Sequence, residues 1–389
     1  MTKKWSSRLT FFAFVVLMVG LGSNDSLRGI FSTIFQEHFS LTTTQLGLIV
    51  TASYIGNLVF LLVGGNLSTR FSKKRVLQVL ILIWMAALAL FAFTSNYTVL
   101  LIGMALALGS STLLNTTMNL ITPLLFATAP GFFVNFLFFT QEIGTSGSQY
   151  ILGSHADGFA FWQHTNLVLL ILGSVAFVLL LFCNVPEEAA DPADTPAQKG
   201  GYDWRIIVPY ELVFGFYFIA EHGVMNWMVA YGVDGLGLPQ ASAAKYLSVF
   251  FGGMMIGRLC LSPLVDKLGA LKSLAAFGGV SCVLYLIGSL GGAVTMPVWA
   301  ISGLSFSILY PTLVMSIRLY FPAQQVSGAA GTILSIASLA DILFNVGFGK
   351  LVDMAGYAVS IRVLPLSVLA FFIVFMLFTK FCKPTQKLK

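Results

Sequence analysis

Charge is what this 389-residue chain has least of: Asp, Glu, Lys and Arg make up 9% of it, against about 25% in an average soluble protein. So few charges cannot coat a water-soluble globule. Cysteines number four, Cys183, Cys260, Cys282 and Cys382; none forms a CxxC pair, which argues against a disulfide framework or a zinc ribbon. The four histidines are scattered. Neither HExxH nor a Gly-x4-Gly-Lys-Ser/Thr phosphate cradle occurs, so no metal, nucleotide or other cofactor is expected. Long polar stretches are also missing, which leaves no room for a soluble domain and no loops on which to assemble an enzyme's catalytic groups.

What fills the chain is apolar sequence, 57% of its residues. Apolar runs recur at a length of about 20 residues, enough for a helix to cross a hydrocarbon core of about 30 Å. Only helices satisfy their own backbone groups segment by segment in lipid, so the pattern predicts an all-α polytopic membrane protein. Twelve helices are expected, near residues 9–34, 44–66, 76–95, 98–126, 131–153, 161–183, 205–231, 242–262, 272–291, 295–318, 326–350 and 358–381. The N-terminal run has the polarity of a signal peptide but no small-residue cleavage site, and reads as the first span. Residues 184–204, rich in Pro, Ala and acidic residues, read as a cytoplasmic linker between a 1–183 bundle and a 205–389 bundle.

Two six-helix halves suggest a duplication, and a motif supports it. Gly65-Asn-Leu-Ser-Thr-Arg-Phe-Ser-Lys-Lys-Arg75 has a degenerate echo in Ser262-Pro-Leu-Val-Asp-Lys-Leu-Gly-Ala-Leu-Lys272; Leu67 and Arg70 map onto Leu264 and Lys267, each 197 residues on (264 − 67, 267 − 70). Gly153 and Asp157 map onto Gly349 and Asp353 at 196. A repeat at half the chain length is the signature of a two-bundle, pseudo-symmetric architecture.

The net charge of +6 follows from topology rather than nucleic-acid binding, because the basic residues flank the apolar runs in short loops instead of forming a face. With the N-terminus in the cytoplasm, seventeen of the 21 Lys and Arg fall on that side and three (Lys245, Lys350, Arg362) on the other, with Arg28 inside a span. That asymmetry places both termini in the cytoplasm. Trp5 and Trp204 are then expected at the inner interface, Trp162 and Trp299 at the outer one.

An ionisable side chain at mid-membrane costs about 2.5–3.5 kcal/mol or more, so each calls for a reason. Asp25, Glu142, Glu221 and Asp341 stand out. Asp25 is either a functional carboxylate or the structural partner of Arg28, three residues on. Glu142 shares a helix face with Thr145 or Ser146 and with Gln149, and Gln141 precedes it; such a stripe lines a cavity or glues helices together. Offset by 197 (222 − 25, 221 − 24), Asp25 falls on His222 and Asn24 on Glu221, where a transporter built from repeats places its central site. His222 and Asn226 share a face beside Trp227, a ring that suits the CH face of a sugar, although a core histidine is an equally good reading of His222. Asn57, Asn115, Asn119 and Asn345 complete the polar set, as solute ligands or as interhelical hydrogen bonders. Glu221, Glu142 and then Asp25 are the candidate proton carriers; Asn24, Asn57, Asn115, Asn119, Gln141, Gln149, His222, Asn226, Trp227 and Asn345 are the candidate solute ligands.

Over nearly its full length the chain resembles the major facilitator superfamily. Gly65-x-Leu-Ser-x-Arg70-x-x-Lys-Lys looks like that superfamily's loop 2–3 motif, and Leu264-x-Asp266-Lys267-x-Gly269 like its loop 8–9 repeat, which implies a gating role for Gly65, Arg70, Asp266 and Lys267. Thr69 stands where the motif has an acid. Asn24-Asp25, Glu221-x-Gly-x-x-x-Trp227-x-x-x-Tyr231 and Gly303-Leu-Ser-Phe-Ser-Ile-Leu-Tyr-Pro-Thr312 further resemble the fucose, glucose and galactose proton symporters. The resemblance implies a monomeric secondary transporter of the cytoplasmic membrane, carrying a small solute with protons by alternating access about a midplane cavity. In that group a glutamate on helix 4 joins the helix 1 aspartate; here Gly109-Ser-Ser-Thr-Leu-Leu-Asn115 has none. The competing expectation is a proton-coupled drug or metabolite exporter of the same fold, whose helix 5 typically carries a Gly-Pro pair absent from Gly144-Thr-Ser-Gly147.

Overall fold

The computed structural model describes residues 3–126, 130–186 and 203–384, and the side chains among them except those of 3, 4, 62–70, 130–132, 135, 266, 323, 324 and 327. No strand occurs among the described residues. The twelve long helices are α1 Lys3–Ile30, α2 Thr43–Arg70, α3 Lys73–Phe93, α4 Tyr97–Leu125, α5 Pro130–Ile151, α6 Phe159–Leu181, α7 Trp204–Ala230, α8 Gln240–Leu268, α9 Ala270–Leu290, α10, α11 Ala323–Ala355 and α12 Val363–Phe381. Helix α10 is interrupted, with turns at Met296–Ile301, Gly303–Phe306 and Leu309–Ser316. Eleven of these regions are long and apolar enough to cross a membrane; α5, 22 residues long, is the twelfth long helix.

The chain divides into two compact units, Met1–Asp191 and Pro192–Lys389. In the first, α1 packs on α5 and α6, α2 on α4, and α3 on α4 and α6. In the second, α7 packs on α11 and α12, α8 on α10, and α9 on α10 and α12. Adding six to each helix number of the first set gives the second. The repeat read from two short motifs is therefore a repeat of packing topology.

Small residues permit the tightest crossings. A Cβ on Gly22 would lie 2.1 Å from the carbonyl oxygen of Gln141, and one on Gly144 at 2.1 Å from that of Val19, so α1 and α5 meet backbone to backbone. Lipid offers no hydrophobic drive to associate helices, and close van der Waals approach takes its place.

The structure departs from the sequence expectations in four places. The basic island is mostly helix: α2 continues to Arg70, and Ser72 caps α3 by accepting from the Arg75 N–H at 3.4 Å, leaving Phe71 and Ser72 as the turn. Helix α8 runs on to Leu268, past the expected end at 262, so Lys267 lies on a helix rather than in a loop. The N-terminal run also yields a separate short helix, Ser32–Phe39, which ends on Ser40 in a left-handed conformation. Finally, Trp162 and Trp299 are 1% and 0% exposed and pack inside their units against Phe31 and Phe35 and against Tyr231 and Tyr285. They are core residues, not an interfacial belt; Trp5 and Trp204 are exposed.

The breaks in α10 have a local cause. The hydroxyls of Ser302, Ser305, Ser307 and Ser316 each donate to the carbonyl three residues back, competing with the helix's own ladder. Pro311 has no N–H to give to Ser307, and the helix opens there.

Candidate functional site

In the first unit the polar residues gather along one stripe of α4. Ser111, Asn115 and Asn119 are spaced four apart and so share a face. The Ser111 hydroxyl donates to Asp25 Oδ2 at 3.4 Å, joining α4 to α1. Asn119 Nδ2 donates to Asn115 Oδ1 at 2.6 Å, and Asn115 Nδ2 donates to Gln141 Oε1 of α5 at 2.6 Å. The result is a one-way amide relay across two helices. Asn119 Oδ1, Asp25 Oδ1, Asn57 Oδ1 and both amide atoms of Gln149 are buried with no protein partner. Unmatched polar atoms in an apolar interior cost about 1–3 kcal/mol each, so this capacity is suited to partners the protein itself does not supply.

Arg28 lies within electrostatic reach of Asp25 without a hydrogen bond to it, and Asp25 Oδ2 accepts from Ser111 instead. Arg28 is 5% exposed, and its guanidinium lies over the ring of Tyr54 at 5.5 Å. Asn24 is buried and accepts from the Trp84 indole at 3.3 Å. Glu142 is half-buried. The stripe expected on α5 is divided: Thr145 donates to Gly22 O and Gln141 O, both at 3.2 Å, and serves the α1 crossing, while Gln141 belongs to the amide relay.

The second unit carries a different arrangement on α7 and α11. His222 Nδ1 and Asp341 Oδ2 are 2.7 Å apart. Asn345 Nδ2 donates to Asp341 O at 2.9 Å and to its Oδ1 at 3.3 Å. The Trp227 indole donates to Asn345 Oδ1 at 2.9 Å. An indole N–H can only donate, so it fixes which end of the amide is oxygen and turns Nδ2 toward the aspartate. Trp227 is fully buried with its ring against Phe348 at 4.8 Å. Asn226 is buried beside it. Glu221 is half-buried, with Tyr217, Tyr285 and Tyr310 within electrostatic reach, and Arg258 of α8 is in reach of Tyr217 and Tyr310.

A hollow of about 480 Å³ in the first unit, between α1, α5 and α6, contains none of the expected site residues. Ile143, Val168, Leu169 and Leu172 dominate its lining, which is almost wholly apolar. Ser23, Ser148, His164 and Thr165 are the polar residues at its wall.

Of the expected gating residues, the side chains of Gly65, Arg70 and Asp266 lie outside those described, and Lys267 is exposed. The same corner has a contact that the motif did not announce. Lys74 Nζ donates to the carbonyls of Leu181 at 3.1 Å and Cys183 at 2.7 Å, closing the C-terminus of α6. Ser111, Trp84 and Arg258 were likewise not among the expected site residues. Spacing alone could have found Ser111, four before Asn115.

The sequence profile of the Major Facilitator Superfamily matches residues 10–344. The chain belongs to that superfamily. As a major facilitator it is a multi-pass membrane transporter and not an enzyme, as its composition led one to expect. It is 24% identical over 331 residues to the L-fucose-proton symporter of Escherichia coli K12, covering 74% of this chain and 75% of that one. It is 25% identical over 297 residues to the cis,cis-muconate transport protein of Acinetobacter baylyi (71% and 70%), and 26% identical over 340 residues to a glucose/galactose transporter of Brucella abortus (82% and 81%). Among solved structures, a D-xylose-proton symporter shares the fold at a TM-score of 0.77 with 16% identity, over 99% of each chain.

Proposed function

We propose that this major facilitator is a proton-coupled importer of a sugar or similar hydroxylated solute, working by alternating access as a monomer in the cytoplasmic membrane, with both termini in the cytoplasm. The observation that carries the reading is the amide relay of α4 and α5, which leaves Asn119 Oδ1 buried and unmatched, together with the buried, unmatched amide atoms of Asn57 and Gln149. Neutral amides that both donate and accept match a solute rich in hydroxyls, which does both as well. A lipophilic drug would leave them unmatched. The names of the fucose and glucose/galactose relatives support the same class.

In this reading Asn24, Asn57, Asn115, Asn119, Gln141 and Gln149 are the candidate solute ligands of the first unit, and His222, Asn226, Trp227 and Asn345 those of the second. Protons travel on Glu221, Glu142 or Asp25, carboxylates within the long helices, where a fixed charge is costly and a bound proton removes it. A second reading, a carboxylate anion as cargo, is favoured by the buried Arg28 and by the muconate-transporting relative.

The test is the pH of the medium around lightly buffered vesicles containing the protein. Adding L-fucose, D-galactose, D-glucose or D-xylose should make the outside more alkaline as solute and protons enter together. If none of the four does so while cis,cis-muconate does, the cargo is an anion. If neither class moves protons, the importer reading is wrong.

A further inference from the structure

We propose that His222 and Asp341 form one proton-binding pair, the group through which this chain takes up and releases its coupling proton. The inference rests on the proton-coupled reading above and gives the proton a different seat from the three carboxylates considered there. Asp341 lies at the centre of its span, 13 residues after Gly328 and 14 before Ala355 (341 − 328, 355 − 341). Its side chain is 1% exposed, while that of His222 is 24% exposed, and Nδ1 and Oδ2 are 2.7 Å apart. The imidazole thus bridges a buried carboxylate and more accessible space.

The chemistry follows from the surroundings of each group. Asn345 Nδ2 donates to Asp341 Oδ1, and its orientation is fixed by Trp227. Asn345 thus presents a donor to the carboxylate whose other oxygen lies against the imidazole. The ionised oxygen facing Nδ1 keeps a hydrogen on that nitrogen, so the lone pair of the neutral ring is on Nε2. Protonation there turns the pair from one net negative charge into a neutral imidazolium–carboxylate pair. A low-dielectric interior favours the neutral state, and the loaded pair carries no net charge through the membrane. Phe218 stacks on the imidazole, with centroids 5.1 Å apart and planes 20° apart; an aromatic face within about 6 Å also favours a cation.

Among the described residues, the neighbouring ionisable groups have other partners. On α7, Glu221 adjoins His222 in sequence but is grouped with Tyr217, Tyr285 of α9 and Tyr310 of α10. From α8, Arg258 is in reach of Tyr217 and Tyr310. From α12, the contact at the next residue, Gly223, is the apolar Leu364.

The experiment is nitrogen NMR of the purified full-length protein with histidine ring nitrogens labelled. Four histidines give four pairs of ring-nitrogen signals, Nδ1 and Nε2 of each, and H222Q identifies the pair of His222. In the wild type, His222 should titrate with a hydrogen-bonded Nδ1. In D341N its midpoint should fall by about one to three pH units, a tenfold or greater loss of proton affinity, because an opposite charge at this range supports the cation by that much. The other three histidines should not move. D341E, which keeps the carboxylate, should restore most of the shift. An unchanged His222 midpoint in D341N overturns the proposal. In vesicles, the alkalinisation caused by an active sugar should be lost in D341N; its survival overturns the coupling role even if the titration behaves as expected. Should the titration show the pair while no sugar moves protons in the wild type, the proton site stands and the sugar reading falls.

Discussion

Asn115 is the residue on which the first unit's polar stripe depends, since it accepts from Asn119 and donates to Gln141. N115L removes both bonds and leaves two partners unmatched. Interhelical hydrogen bonds in membranes are worth about 0.6–2 kcal/mol, so N115L should lower stability by about that amount, read as the thermal midpoint in detergent. T116V, one residue on at an exposed position whose hydroxyl only back-bonds to Thr112, should stay within about 0.5 kcal/mol of wild type. If the stripe also holds the solute, thermal stabilisation by an active sugar should vanish in N115L and persist in T116V. At this scale the sequence revealed the participants better than the partnerships. Spacing put Asn115 and Asn119 on one face, but nothing in the sequence could tell that Gln141 faces α4 while Thr145, one turn on, faces α1. Nor could it tell how Arg28 is held: a spacing of three puts it in reach of Asp25, but its guanidinium also sits over Tyr54 of α2.

Helices were legible wherever an apolar run alone specifies them. Their interruptions were not, because the breaks in α10 come from serine hydroxyls and one proline in a stretch still apolar enough to read as one span. Tryptophan depth was also illegible: Trp162 and Trp299 sit near helix ends, as belt residues do, yet face inward, since sequence position gives depth and not direction. Glycines show the same limit and allow a controlled test. Gly144 and Gly147 lie on α5 and cost that helix the same in propensity, but a Cβ on Gly144 meets the Val19 carbonyl at 2.1 Å while one on Gly147 meets nothing within 4 Å. G144V should therefore destabilise by about 1–3 kcal/mol or more through forced separation of α1 and α5. G147V should be near neutral. Thermal unfolding of the two side by side decides it; equal losses would mean that α1 and α5 are not in backbone contact there.

For the whole molecule, the distribution of charge makes a claim that neither unit makes alone. The protein has 21 basic residues, and orientation in a membrane follows their placement in short loops near the span ends. Arg75, exposed one turn into α3, belongs to the basic corner between α2 and α3. Arg362, exposed just before α12, belongs to the sparsely basic side. Between them lie nine long helices, α3 to α11, eight of them apolar enough by themselves to cross; with α5 crossing as its counterpart α11 does, the number of crossings is odd. The two positions must then lie on opposite faces whatever the absolute orientation. In a background with the four native cysteines replaced, R362C should react with a membrane-impermeant maleimide on intact cells, and R75C only after permeabilisation. Reversal of both would keep the helix count and invert the cytoplasmic placement of the termini. Labelling of both from the same side would mean that one of the nine helices between them does not cross, which the matching packing patterns of the two units argue against, since each of the nine occupies a position that its counterpart six helices away also fills.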